Sequence, residues 1–191
     1  MINKIKKYLK FIKLVANQSI KINRTIDAEY LKKRGLKIGE NCNIQEQCII
    51  DPSHYWHIEI GNDVTLAPRV HILAHDASTK IHLGYTKIGN VVIEDKVFVG
   101  ASSIILPGVR IGENSIIGSG SIVTKDIPRN SVVAGNPARV ICSVEEYIKK
   151  HRENITEDIL FDESYTLRAN ISDTMKKEMK NKIEDKIGYV I

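Results

Sequence analysis

Two stretches of this 191-residue chain gather side chains able to move a proton or hold a metal. The first, Asp51-Pro-Ser-His-Tyr-Trp-His-Ile-Glu59, carries Asp51, His54 and His57. The second runs from Leu73 to Val92, opens Leu-Ala-His75-Asp76, and adds Lys80, His82, Tyr85 and Lys87. Imidazole changes charge near neutral pH, so each of these histidines can act as a general base or as a metal ligand. His71 and His75 lie four residues apart, and three imidazoles around an open position are what zinc-hydrolytic chemistry requires. Further along, Lys125 and Arg139 are cations suited by charge to phosphate groups.

The elements that must position these groups show themselves as a repeat. From Ile93 the chain falls into hexads that begin at Ile93, Val99, Ile105, Ile111, Ile117 and Val123. The same register occurs upstream at Ile38, Ile44 and Ile50, and again at Ile60, Leu66 and Ile72. The first position is aliphatic throughout, the second is glycine at Gly100, Gly112 and Gly118, and the fifth is small or aliphatic, as at Cys42, Cys48, Val64 and Val70. A helix repeats at 3.6 residues and a lone strand at two, so neither explains a period of six. A three-sided coil does: one aliphatic per side points inward, and Gly, Asn or Asp takes the left-handed corner. Three hexads make a turn of about 18 residues, and stacked turns pair as parallel strands. The expected fold is therefore a left-handed parallel β-helix, an all-β core over residues 36–142. The two stretches named above are the places where its period breaks, and long loops in compact domains are usually functional.

The flanks differ in kind. Residues 1–34 carry ten Lys/Arg against Asp27 and Glu29, and residues 1–35 read as a basic helical segment with Ile5, Leu9, Ile12 and the Phe11/Val15 pair on its apolar side. Residues 143–191 read as a helical extension, with candidates at Val144–His151 and Ser172–Ile187 and N-caps at Ser143 and Asp173. The net charge of +5 is unevenly placed, the arm being strongly basic and the remainder slightly acidic. With no aromatic-interleaved basic strand, it argues against a nucleic-acid partner. Its plain reading is a solvated helix face, and its alternative is peripheral contact between residues 1–34 and anionic lipid. No apolar run reaches signal-peptide or transmembrane length. An odd count of three cysteines without a CxxC speaks against a disulfide framework and for a reducing cytoplasm.

With the hexads, the His75 loop, Thr124-Lys125-Asp126-Ile-Pro128 and Gly135-Asn136-Pro137-Ala138-Arg139 together, residues 36–142 resemble the hexapeptide-repeat O-acetyltransferases. These include the maltose and galactoside enzymes and those acting on capsule and lipopolysaccharide. The resemblance implies a homotrimer with acetyl-CoA in the groove between neighbouring coils, no metal, and a small hydroxylated acceptor such as a sugar. It assigns His75 as general base and the backbone N–H of Ala101 as donor to the developing oxyanion. It places Phe98, where many relatives have Trp, and Ser119 along the pantetheine groove, and Thr124, Lys125 and Arg139 at the nucleotide end of the donor. Asn43 and Asp51, eight apart as in the galactoside enzymes, are expected at the acceptor, with His54 and His57 beside them. N-acetylation of an amino-sugar nucleotide needs the same base and donor site and stays open. A γ-carbonic-anhydrase-like metalloenzyme and a non-catalytic scaffold are the remaining readings on this fold.

Overall fold

A computed structural model describes residues 28–191. The expected helix around Ile5, Leu9 and Ile12, and most of the basic arm, lie outside the described residues. The described chain forms two units, residues 28–144 and 145–191.

The first unit opens with a short helix, Ala28–Lys32, which buries Leu31. Strands of two or three residues then wind through three parallel sheets. Lys37–Ile38, Ile58–Ile60, Val91–Ile93 and Arg110–Ile111 form the first face. Asn43–Ile44, Thr65–Leu66, Phe98–Val99 and Ile116–Ile117 form the second, which continues into Ser131–Gly135. Ile49–Ile50, His71–Ile72, Ile104–Ile105 and Ile122–Val123 form the third. The chain visits the faces in strict rotation, which is the three-sided coil expected from the hexads. The last strand folds back antiparallel on Ala138–Ser143, with Gly135 opposite Ala138, and this hairpin ends the coil.

The first-position residues fill the core: Leu66, Ile72, Val99, Ile105, Ile111, Ile117 and Val123 are fully buried. So are the fifth-position residues Val64, Val70, Ser103, Ser115 and Ser121. A buried hydroxyl costs free energy unless it is hydrogen-bonded. Ser103 Oγ donates to the Gly118 carbonyl at 3.0 Å, and Ser115 Oγ to the Pro128 carbonyl at 2.9 Å.

The corners correct one expectation. Left-handed backbone angles fall at the fourth hexad position, on Asn41, Asp63, Asn114 and Gly108, but also on Gln47, Arg69, Lys96 and Ser102. The hydrogen bonding of stacked turns holds these side chains where isolated L-residues seldom go. The second-position glycines serve packing. A Cβ on Gly100 would sit 2.5 Å from Ser119 N, and one on Gly112 would sit 2.5 Å from Arg129 N, so only glycine lets the next turn close down.

Register measures the interruptions. Phe98 pairs with Ile116, three hexads on, as the regular turn demands. Lys37 pairs with Glu59 and His71 with Ile104, in both cases further along the chain than three hexads. The first of these turns takes in four extra residues and the second fifteen. Both insertions fall where the chain leaves the third face for the first, on successive turns. The two breaks lie one above the other at a single corner.

The second unit is polar and open. It contains helices Val144–Glu153 and Asp173–Lys182 and a short parallel pair, Leu160–Phe161 with Tyr189–Val190. Its second helix is capped by Ser172, whose Oγ accepts from Met175 N at 3.2 Å, so Asp173 is the first helical residue rather than the cap. Of all the helices among the described residues, none is long and apolar enough to cross a membrane.

Candidate active site

Stacking the two insertions brings Asp51 against His75. Asp51 follows the strand Ile49–Ile50 and is 1% exposed. A buried carboxylate must be surrounded by donors, and this one is. It accepts the backbone N–H groups of Ser53 at 3.0 Å, His54 at 3.2 Å and Ala74 at 3.0 Å, and it contacts Nδ1 of His75. Burial alone would raise its pKa, but the His75, Ser53 and Ala74 donors outweigh that and hold it below the ordinary carboxylate value. An ionised Asp51 can only accept. His75 therefore carries a proton on Nδ1, and its ring is one-third exposed.

The longer insertion is an ordered hairpin. His75 and Asp76 pair antiparallel with Ile88 and Lys87. Asp76 accepts from Ser78 N at 2.8 Å and faces Lys87 at 2.7 Å, and Lys87 chiefly lowers its pKa to about 2. A short helix, Lys80–Leu83, ends at Gly84 in the left-handed region, and Gly89 N closes onto the Ala74 carbonyl at 3.0 Å. These bonds fix the backbone on both sides of His75. His82 is exposed on the short helix, and His71 lies half-buried in its strand.

The shorter insertion packs rings beside His75. The centroid of His54 lies 4.8 Å from that of His75, and His54, Trp56 and His57 form a contiguous group. Nδ1 of His57 donates to Asn90 Oδ1 at 2.7 Å, clipping this insertion to the end of the other.

The donor-side residues sit elsewhere on the coil. Ala101 and Ser119 occupy the corner between the second and third faces on successive turns, where the Ala101 carbonyl accepts from Gly120 N at 2.8 Å. The N–H of Ala101 meets no acceptor among the described residues. Thr124 and Lys125 follow the strand Ile122–Val123 at the same corner as His75 but two turns higher, and both are exposed. Arg139, in the closing hairpin, donates to the Ala138 carbonyl at 2.9 Å and is otherwise exposed. Asn43 and Phe98 share the outer side of the second face, each opposite Thr65, and Phe98 is 43% exposed.

One expectation changes here. Asp51, assigned to the acceptor, lies beneath the imidazole with no exposed side-chain surface, and its oxygens are taken by N–H donors. It orients the His75 ring and the backbone around it. Sequence reasoning missed this partnership because the residues are 24 apart, although both breaks follow a third hexad and so must share a corner.

Asp51, His54 and His75 also offer one ligand atom each within 4.8 Å of one another, the one such metal-ligand set among the described residues. A metal there would have to displace backbone donors and the Nδ1 proton that already satisfy Asp51. The donor set therefore fits an imidazole–carboxylate pair better than a zinc site.

The three-sided parallel coil of hexads is the feature that known proteins share with this chain. The family model for bacterial transferase hexapeptide repeats matches residues 90–125. Protein CapG of Staphylococcus aureus is 38% identical over 141 residues, 70% of this chain and 80% of that one. A galactoside O-acetyltransferase of Lactococcus lactis is 38% identical over 59% of this chain and 65% of its own. Among solved structures, a galactoside acetyltransferase in complex with coenzyme A superposes with a TM-score of 0.52 at 30% identity, covering 64% of this chain and 72% of that one. The chain belongs to the bacterial hexapeptide-repeat transferases; it is an acyltransferase, and its coil is their left-handed β-helix.

Proposed function

We propose that this protein transfers the acetyl group of acetyl-CoA to a hydroxyl of a sugar or polysaccharide precursor. The observation that carries the reading is the seating of His75 Nδ1 on the buried Asp51 carboxylate. An alcohol is a poor nucleophile at neutral pH, and a positioned base contributes about 10²–10⁴-fold by taking its proton during attack. Nε2 of His75 is that base, and Asp51 fixes the tautomer and stabilises the imidazolium that forms. The donor supplies a thioester carbonyl. The unpaired N–H of Ala101 fits the oxygen that gains charge there, and the same imidazolium returns its proton to the departing sulfur. Thr124, Lys125 and Arg139 are exposed and suited to the donor's phosphates.

Assembly as a homotrimer belongs to this proposal. Within one chain Ala101 and Ser119 lie a corner away from His75, so a complete site draws its oxyanion donor from a neighbouring copy. An exposed apolar side chain such as Ile49, 45% exposed on the third face, suits burial against that copy.

His75→Ala should leave acetyl-CoA binding intact in a thermal-shift assay and lower release of the CoA thiol by about 100-fold or more. Near-normal turnover would move the base to His57 or His82.

A further inference from the structure

The shorter insertion does more than hold the base. It introduces Trp56, the single tryptophan of the chain, and leaves it 56% exposed beside the catalytic corner. The indole is held in place rather than loose. Tyr55 meets it edge-on at 5.3 Å and 82°, His54 lies 5.3 Å away on a tilted plane, and His57 lies at 5.9 Å. From Trp56 the ring path runs through His54 to His75 in steps of 5.3 and 4.8 Å. Nδ1 of His54 is buried without a hydrogen-bond partner among the described residues, a cost that the fold itself does not recover.

A second observation ties this group to the reaction. The Asp51 carboxylate that holds His75 and Ala74 also accepts the N–H groups of Ser53 and His54. One buried anion therefore sets the orientation of the base and the backbone from which Trp56 projects. An exposed indole kept in fixed relation to a general base, and inserted only where the repeat breaks, is placed for a substrate.

We propose that Trp56, with His54 at its side, is the acceptor platform, and that it selects a pyranose ring. The inference rests on the acyl-transfer reading and names the acceptor class for that same site. The C–H bonds on one side of a pyranose form an apolar patch with slight positive charge, complementary to the negative face of an indole. Its equatorial hydroxyls leave from the rim of the ring. A sugar laid flat on Trp56 thus directs a rim hydroxyl past His54 toward Nε2 of His75. An open-chain polyol offers no such face and gains nothing from the indole.

Because Trp56 is the only indole, its emission reports on the platform without interference. The full-length protein would be titrated with methyl β-galactoside, methyl β-glucoside and glycerol, and the same compounds assayed for acetylation. A pyranoside that is acetylated should shift the emission saturably, at concentrations matching its KM. Trp56→Ala should raise the acceptor KM about tenfold or more, Trp56→Phe by less, with the acetyl-CoA KM and the sedimentation coefficient unchanged. The proposal is overturned if an acetylated compound leaves the emission unmoved and keeps its KM in Trp56→Ala. It is also overturned if glycerol is acetylated as well as the pyranosides, if no pyranoside is acetylated, or if Trp56→Ala alters sedimentation, which would make the indole a subunit contact. The acyl-transfer reading falls on a separate result, failure of the protein to bind acetyl-CoA.

Discussion

From Ile93 to Val123 each turn takes three hexads, and each side contributes an aliphatic first position to a sealed interior. At the corner leading from the third face to the first, two successive turns instead take in four and fifteen residues more than that. There the chain places a buried carboxylate, four imidazoles and an indole. The comparison shows how the fold separates two demands. Repetition supplies rigidity, because each strand inside the stack is hydrogen-bonded above and below. Groups that a repeat cannot specify are placed on insertions whose ends the neighbouring turns hold fixed. The charged outer side of the first face is a third environment, with Arg110 and Glu94 paired at 2.9 Å in solvent.

Substitutions can break this contrast in a graded way. The largest effect is expected in the regular coil. Ile105→Ala leaves a void between fully buried neighbours and should cost about 2–5 kcal/mol, read as a lower denaturant midpoint with unchanged slope. Coil stability unaffected by that void would mean the interior is looser than its burial indicates.

Asp51→Asn tests the corner. It should lower kcat by about 10- to 100-fold, less than the full contribution of the base, with the acetyl-CoA KM unchanged. It also changes acid stability. The folded pKa of Asp51 lies below its unfolded value, so its stabilisation is complete above about pH 4 and is lost as pH falls through the folded value. Acid unfolding of the variant should lack that component. An unchanged kcat would remove Asp51 from the reaction.

The smallest effect belongs to the solvated face. Arg110→Gln removes a pair whose members are 56% and 37% exposed, and it should cost less than about 1 kcal/mol, vanishing in high salt. A larger loss would show that this face is covered in the assembled protein.

Much of the coil was legible because period six has few physical solutions. Twelve hexad starts, from Ile38 to Val123, each end a short strand, and the later ones are buried almost completely. His75 was legible as the histidine opening the longer break. The roles inside the hexad were less so. Gly100 and Gly112 were read with the corners, yet they answer a contact from the turn above, which only three dimensions reveal. The exposure of Trp56 was not legible, because nothing local distinguishes an exposed indole from a buried one.

The sequence by itself determined the three-sided coil, since an aliphatic at every sixth residue cannot be buried in a helix or a lone strand. It also determined where that coil must stop repeating. Only the tertiary structure decided that Asp51 serves His75. The two insertions meet because stacking brings successive passages of one corner together, and a carboxylate buried there must take its donors from whatever the next turn presents.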